Sequence, residues 1–358
     1  MAERELLCIY PWMAISQESP GNRLSVCCWS KVNIKNVEKR SLEEIWNGPE
    51  YRYLRQKMLE GDIEKICKDT CPFVVNGKYV AKPDRIDGIG REYVENKRLM
   101  WKEIESGKVV ISSKPTYVKL YPTNRCNLSC IMCRQGNVKS EHIFDKMMNE
   151  IRGWFKYMDR IEFVGGEPLL SKEVIEFVKE FDPAEYPDLK IHIITNGILL
   201  NKNIIDMMDG KFRSLSISVD GASKEVYESI RVGGKWEVLM KNMSYLAEKV
   251  RGKDVEVKIL TVVMKRNIDD LFNIAVMAKN FGFSVGYQPI SGIWHGQSIE
   301  RRRDIIRAIR QLKKAQKYYP EGVYVNSAIS DLSRKLDGGG SLLKKVFNRV
   351  VSIGGKWL

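Results

Sequence analysis

Cys126, Cys130 and Cys133 fall within the eight-residue stretch CNLSCIMC, at spacings of four and then three. Three thiols leave one over in any disulfide pairing. Structural zinc wants four protein ligands, and an iron–sulfur cube wants four thiolates. No cysteine follows Cys133, and His142 is the one histidine close behind it. The stretch reads as a cluster loop with one iron left open, useful if something else is meant to bind that iron.

The remaining five cysteines, Cys8, Cys27, Cys28, Cys67 and Cys71, all precede position 75. Four thiolates from separated segments would close a full 4Fe–4S site with no open iron. Structural zinc takes the same four. The start, MAERELLCIYPW, lacks a basic segment followed by an apolar core. No signal peptide is expected, and the compartment is read as cytoplasmic. There, eight cysteines point to metal or redox chemistry rather than disulfides.

These residues need elements to hold them. The chain has 358 residues, 44% hydrophobic and 29% charged, which is globular composition with room for more than one domain. No apolar run reaches the ~18 residues of a membrane span. Residues 1–75 read as a small Cys-rich domain and 76–115 as a connector with a helix near 92–105. From Thr116 to 297, short apolar runs (TYVKLYP, RIEFVGG, KIHIITNG, LSISVDG, VEVKILTVV, SVGYQPI) alternate with helical segments. Alternation of this kind means a parallel sheet with crossovers. The expected fold class is α/β, a partial (β/α)6 TIM-like barrel preceded by the Cys-rich domain; a flat doubly wound sheet is the alternative. Residues 298–358 read as a basic helical region.

The unusual residues cluster at strand ends. The cysteine loop follows the first strand, GGEP (Gly165, Gly166, Glu167, Pro168) the second, and TNG with Asn196 the third. SVDG, with Ser218 and Asp220, ends the fourth. All lie at C-terminal strand ends, where barrels build active sites. The glycines admit a close backbone approach, and Glu167 can accept charge-strengthened hydrogen bonds from an ammonium group. Asp220 can equally form a turn with Gly221. Tyr287, Gln288 and His295 lie at the sixth strand end and can face a substrate or pack structurally.

Read together, PTNRCNLSCIMC, GGEP and SVDG resemble the radical S-adenosylmethionine superfamily over residues 116 to about 290. The resemblance implies that Cys126, Cys130 and Cys133 ligate a 4Fe–4S cluster whose open iron is chelated by S-adenosylmethionine. It implies that Gly165, Gly166 and Glu167 hold the methionyl amine. Asn196, Ser218 and Arg231 would contact the ribose or carboxylate, and Met132 would sit beside the adenine. Reductive cleavage would yield a 5′-deoxyadenosyl radical that abstracts a substrate hydrogen atom.

The N-terminal block, with Trp12, the Cys27–Cys28 pair and LEEIWNGPEYRYLR read as one helix, resembles the SPASM domain. That domain usually follows the barrel; here it comes first. One auxiliary 4Fe–4S cluster is implied, with Cys8, Cys27, Cys67 and Cys71 as ligands and zinc as the alternative. Cys28 is a structural thiol, or replaces Cys27 as ligand, or is catalytic. The catalytic reading follows sulfatase-maturing relatives, whose catalytic aspartate directly follows the matching cysteine. A thiol there would return a hydrogen atom to a substrate radical.

The resulting expectation is an oxidoreductase or maturase-type enzyme acting on a peptide or protein, fed by an electron donor such as ferredoxin or flavodoxin. A sugar, nucleotide or lipid-linked substrate is the alternative. A non-catalytic iron–sulfur or zinc protein is the alternative of another class. Lys and Arg outnumber Asp and Glu by 59 to 45, net +14, and residues 300–358 alone carry +9 (fourteen basic, five acidic). That excess suggests a small anionic substrate or another anionic partner, or is a solvated basic face. SLLKKVFNRVVSIGGKWL has helical spacing and either lies on an anionic membrane surface or packs on the barrel.

Overall fold

A computed structural model of the chain describes residues 6–18, 23–69, 71, 73–74, 77, 83, 85–133, 143–290 and 296–336. His142, His295 and the amphipathic segment 341–358 lie outside the described residues.

The described strands form one nine-stranded sheet: β1 Ala14–Gln17, β2 Leu24–Ser25, β3 Tyr117–Leu120, β4 Arg160–Phe163, β5 Lys190–Thr195, β6 Phe212–Ser218, β7 Glu256–Val263, β8 Ser284–Pro289 and β9 Val323–Tyr324. Their order is β2-β1-β3-β4-β5-β6-β7-β8-β9. β1 and β2 are antiparallel, and every other pair is parallel. A doubly wound sheet reverses its strand order part-way. Here the order from β3 to β9 follows the chain, so right-handed crossovers stack their helices on one face. This is the open, partial barrel rather than the flat sheet.

The strand pattern explains the two faces. In β7, Val257, Ile259, Thr261 and Val263 are buried beneath helices, while Lys258, Leu260 and Val262 are half-buried on the concave side. Side chains alternate across a strand, so one period-2 sequence serves both faces. Three of the crossover helices start at side-chain caps: Ser171 for Lys172–Glu180, Asn201 for Lys202–Met208 and Ser223 for Lys224–Ile230. Such a cap contributes about 1 kcal/mol.

All six strands read from sequence are present, and three more join them. β1 comes from the Cys-rich block and pairs with β3, with Ser16 opposite Lys119. The segment LEEIWNGPEYRYLR is two helices, Leu42–Trp46 and Pro49–Glu60, because Asn47-Gly48 ends one and Pro49 opens the next. They anchor the block. Trp46 Nε1 donates to Ser113 O at 2.7 Å, and buried Arg55 donates to Pro11 O and Val109 O, both at 2.9 Å. The Arg55 guanidinium stacks 4.6 Å over the Trp46 ring. Trp12, Trp46, Val118 and Ile161 belong to one continuous core, so the block rests on the barrel through shared apolar packing.

Candidate active site

At the C-terminal strand ends the rim loops form one hydrogen-bonded frame. Gly166 N donates to Thr123 O and Glu167 N to Arg125 O, both at 2.9 Å, laying the GGEP loop along the approach to the cysteines. A Cβ at Gly166 would stand 2.2 Å from Arg125 O, and Gly165 has φ +144°. Glycine is therefore required at both. On the other side, Ser129 N donates to Val232 O at 2.8 Å and Ile131 N to Ile230 O at 3.0 Å. The segment after the helix Lys224–Ile230 thus runs alongside the cysteine loop.

Glu167 is fully buried and off the cavity wall. Its Oε1 accepts from Thr195 Oγ1 at 2.8 Å and Leu169 N at 3.2 Å, and its Oε2 from Asn196 N at 2.8 Å. Burial raises its pKa, and these three donors oppose the rise. Asn196 Nδ2 donates to Asn127 Oδ1 at 2.8 Å and reaches Cys126 Sγ at 3.7 Å, while its Oδ1 accepts from Ile198 N. Both side chains hold the frame together. Asp220 makes no free turn: it is fully buried, accepts from Val262 N at 2.7 Å and pairs with Arg231 at 2.7 Å. Arg231 Nη1 in turn points at Cys130 Sγ, 3.8 Å away.

These loops border a cavity of about 580 Å³. Cys126, Cys130, Cys133, Met132, Gly165, Gly166, Asn196, Ser218 and Arg231 line it. So do Tyr117, Lys119 and Tyr121 of β3 and its end, Glu162 of β4, and Tyr10, Cys27, Cys28 and Trp29 of the N-terminal block. Tyr117, Lys119 and Tyr121 were not singled out from sequence. The available signal was their odd-numbered alternation with buried Val118 and Leu120, which turns three polar or aromatic side chains into the lumen. Tyr287 is core, its hydroxyl donating to Leu271 O at 2.7 Å.

The donor set suits a cluster. Among the described residues no three His, Cys, Asp or Glu side chains stand together as a single-ion site. Thiolates bound to different irons of a cube are spread apart, as ligands of one ion are not. Cys126 and Cys133 are exposed and Cys130 half-buried, on a loop whose backbone is fastened on both sides. The N-terminal thiols group separately. Ser30 bridges to Cys67 and its N–H donates to Cys27 O, which brings those two segments together. Burial pushes Cys27 and Cys67 up to about 11 and Cys8 higher still, with repulsion from neighbouring thiolates of the set Cys8, Cys27, Cys67 and Cys71 adding to it. Cys28 stands apart from Cys8, Cys67 and Cys71. It is exposed to the cavity, and its electrostatic neighbours are Lys119, Glu18 and Cys27.

Residues 120–278 match the family described as the Radical SAM superfamily, and residues 8–72 match SPASM, the iron–sulfur cluster-binding domain. The chain thus carries a radical S-adenosylmethionine domain and a SPASM-type iron–sulfur domain. A radical SAM domain carries a 4Fe–4S cluster with S-adenosylmethionine, and the SPASM domain carries an auxiliary cluster. Radical SAM relatives include GTP 3′,8-cyclase of Clostridium botulinum, 28% identical over 52% of this chain and 60% of that protein. The AdoMet-dependent heme synthase of Methanosarcina barkeri is 26% identical over 49% and 50%. The structure of Streptococcus suis SuiB bound to S-adenosylmethionine aligns with TM-score 0.50 and 18% identity, over 64% of this chain and 54% of SuiB. The chain therefore spans little more than half the length of these proteins, and the likeness to SuiB is one of fold. Among the described residues no helix is long and apolar enough to cross a membrane.

Proposed function

We propose that this chain reductively cleaves S-adenosylmethionine and modifies a C–H bond of a peptide or protein. The observation that carries the reading is the shared cavity. Cys126, Cys130 and Cys133 line it together with Cys27 and Cys28 of the auxiliary block. When bound, the cluster and S-adenosylmethionine supply the hydrogen-abstracting 5′-deoxyadenosyl radical. The chain's own residues hold the reaction between the two blocks. Gly165 and Gly166 expose backbone to the methionyl group, Ser218 lines the same wall, and Met132 offers a soft apolar contact for the adenine.

Charge pairing supports an uncharged reacting segment. The three charged side chains lining the cavity, among the described residues, each have a partner in the protein. Lys119 meets Glu18 at 2.7 Å, Glu162 meets Arg160 at 2.5 Å, and Arg231 meets Asp220 at 2.7 Å. A polyphosphate needs uncommitted cations, whereas a neutral peptide segment fits between paired charges and the tyrosines. The relative named GTP 3′,8-cyclase favours a nucleotide as the second reading.

In this reading Cys28, which lines the cavity, finishes the reaction. Homolysis of its S–H bond gives one hydrogen atom to a substrate radical and leaves a thiyl. One proton from solvent and one electron would restore the thiol, and an auxiliary cluster held by Cys8, Cys27, Cys67 and Cys71 would be able to supply that electron. The outcome at the substrate carbon is then redox-neutral. An external one-electron donor of the ferredoxin or flavodoxin class would reload the system.

The test is anaerobic. Protein reconstituted with iron and sulfide, then given dithionite and S-adenosylmethionine, is expected to form 5′-deoxyadenosine, and Cys130→Ala none. A peptide pool should accelerate 5′-deoxyadenosine formation and nucleoside triphosphates should not. The reverse stimulation would establish the nucleotide reading, and no cleavage at all would remove the enzymatic one.

A further inference from the structure

The rim holds a buried ion pair whose free end faces a cluster thiol. We propose that Arg231, clamped by Asp220, raises the reduction potential of the cluster bound by Cys126, Cys130 and Cys133, through a charge-assisted hydrogen bond to the Cys130 sulfur. This rests on the cluster reading of the cysteine loop above.

The geometry assigns each end of the guanidinium. Arg231 Nη2 pairs with Asp220 Oδ2 at 2.7 Å, and Nη1 lies 3.8 Å from Cys130 Sγ. Asp220 is immobile: it is fully buried, and its Oδ1 accepts from Val262 N at 2.7 Å on the neighbouring strand. Arg231 itself is only 7% exposed. Its backbone is fastened too, with its N–H donating to Tyr227 O and its carbonyl accepting from Gly234 N, both at 2.8 Å. A planar fork held at one end presents its other donors in a set direction, which a lysine cannot do.

Stability does not account for this arrangement. Desolvating two charges costs several kcal/mol per ion, and apolar residues of similar volume often do as well or better. A function at the exposed end of the fork does account for it. Donors and positive charge beside a cluster sulfur favour the reduced, more negative cluster. The neighbouring sulfur is treated differently. Cys126 receives the neutral donors Leu128 N at 3.4 Å and Asn196 Nδ2 at 3.7 Å. The charged donor is reserved for Cys130. Arg231 is therefore a positioning and tuning residue of the cluster, beyond the ribose or carboxylate contact that the resemblance implies.

The decisive variant is the double substitution Asp220→Asn with Arg231→Gln. It removes both charges together, so the net charge stays constant and no uncompensated ion is left buried. What disappears is the charged donor at Cys130. The readout is an EPR-monitored redox titration of the reconstituted full chain without S-adenosylmethionine. In the wild type, the signal of the open-iron cluster is identified by its change when S-adenosylmethionine is added. The auxiliary cluster serves as internal reference. The double variant is expected to bind the same iron and to shift the first midpoint to more negative potential, leaving the second in place. Arg231→Lys, which keeps the charge and loses the fork, should shift it in the same direction by less. Midpoints equal to wild type at equal iron overturn the proposal, as does an equal shift of both clusters. A wild-type chain with no signal responsive to S-adenosylmethionine overturns the cluster reading itself, and this inference with it.

Discussion

Asn196 and Asn127 meet side chain to side chain at 2.8 Å, tying the loop after β5 to the cysteine loop after β3. The same Asn196 amide reaches Cys126 Sγ, and its Oδ1 holds Ile198 N at 3.0 Å. Truncation to alanine leaves half-buried partners without their hydrogen bonds, at about 1 kcal/mol. Asn196→Ala should release iron to a chelator about tenfold faster than wild type, the equivalent of ~1.4 kcal/mol. Release at the wild-type rate would mean that the amide does not secure the loop.

Gly166 sits against backbone, not against a movable side chain. An added Cβ would lie 2.2 Å from Arg125 O and 2.6 Å from Asn124 O. The cysteine loop must shift to admit it. Gly166→Ala should fold with unchanged far-ultraviolet circular dichroism yet bind about four irons rather than about eight, keeping the auxiliary cluster. Full iron loading would show that the loop yields more easily than its hydrogen bonds imply.

Cys27 and Cys28 are adjacent in sequence and face different neighbours. Cys27 is grouped with Cys8, Cys67 and Cys71, while Cys28 sits with Lys119 and Glu18 at the cavity. Cys27→Ala is expected to lose about four irons, and Cys28→Ala to keep about eight. With a substrate in hand, Cys28→Ala should abolish solvent deuterium incorporation at the reacting carbon without blocking 5′-deoxyadenosine formation. Exchanged iron counts between the two variants would make Cys28 the ligand.

His192 is buried in the concave face of the barrel, bonded to Ser214 Oγ, and burial pushes its pKa down to about 4. The unfolded value is about 6.5. A folded-state pKa below the unfolded one means that the unfolded chain takes up the proton first as pH falls. The contribution to stability is complete above about pH 6.5 and is lost on descent towards pH 4. Between pH 7 and pH 5 the loss should be about 2 kcal/mol. Urea unfolding at both pH values, compared with His192→Gln, checks it; equal pH dependence in the two proteins would assign the effect elsewhere.

Much of the rim was legible because loop chemistry is local. A four-then-three spacing of thiols, paired glycines before Glu167 and six apolar runs with turn residues are patterns within short windows. The strands fell where those runs were read. The addition of β1 to the sheet was not legible, because a four-residue run, AISQ, carries no mark of the strand it will pair with, and β3 lies about a hundred residues away. Nor was the break at Asn47-Gly48-Pro49 weighed against the helical pattern around it.

The roles within the site divide along the same line. Sequence and the resemblance it carries determined which residues are the candidates for the chemistry: the three thiols of the cysteine loop, the N-terminal thiols, Glu167, Asn196, Ser218 and Arg231. Tertiary structure decided what each one touches. Glu167 spends its oxygens on the frame, off the cavity wall, and Asn196 is bonded into the frame while lining the cavity. Arg231 is divided between Asp220 and Cys130, which are ninety residues apart in the chain. The N-terminal block brings Cys28 to the same cavity as the cysteine loop. The physical reason is range. Residue type and spacing act within a few positions, whereas burial, ion pairing and hydrogen-bond partnership depend on which distant segments share one core, and that is settled only when the whole sheet closes over it.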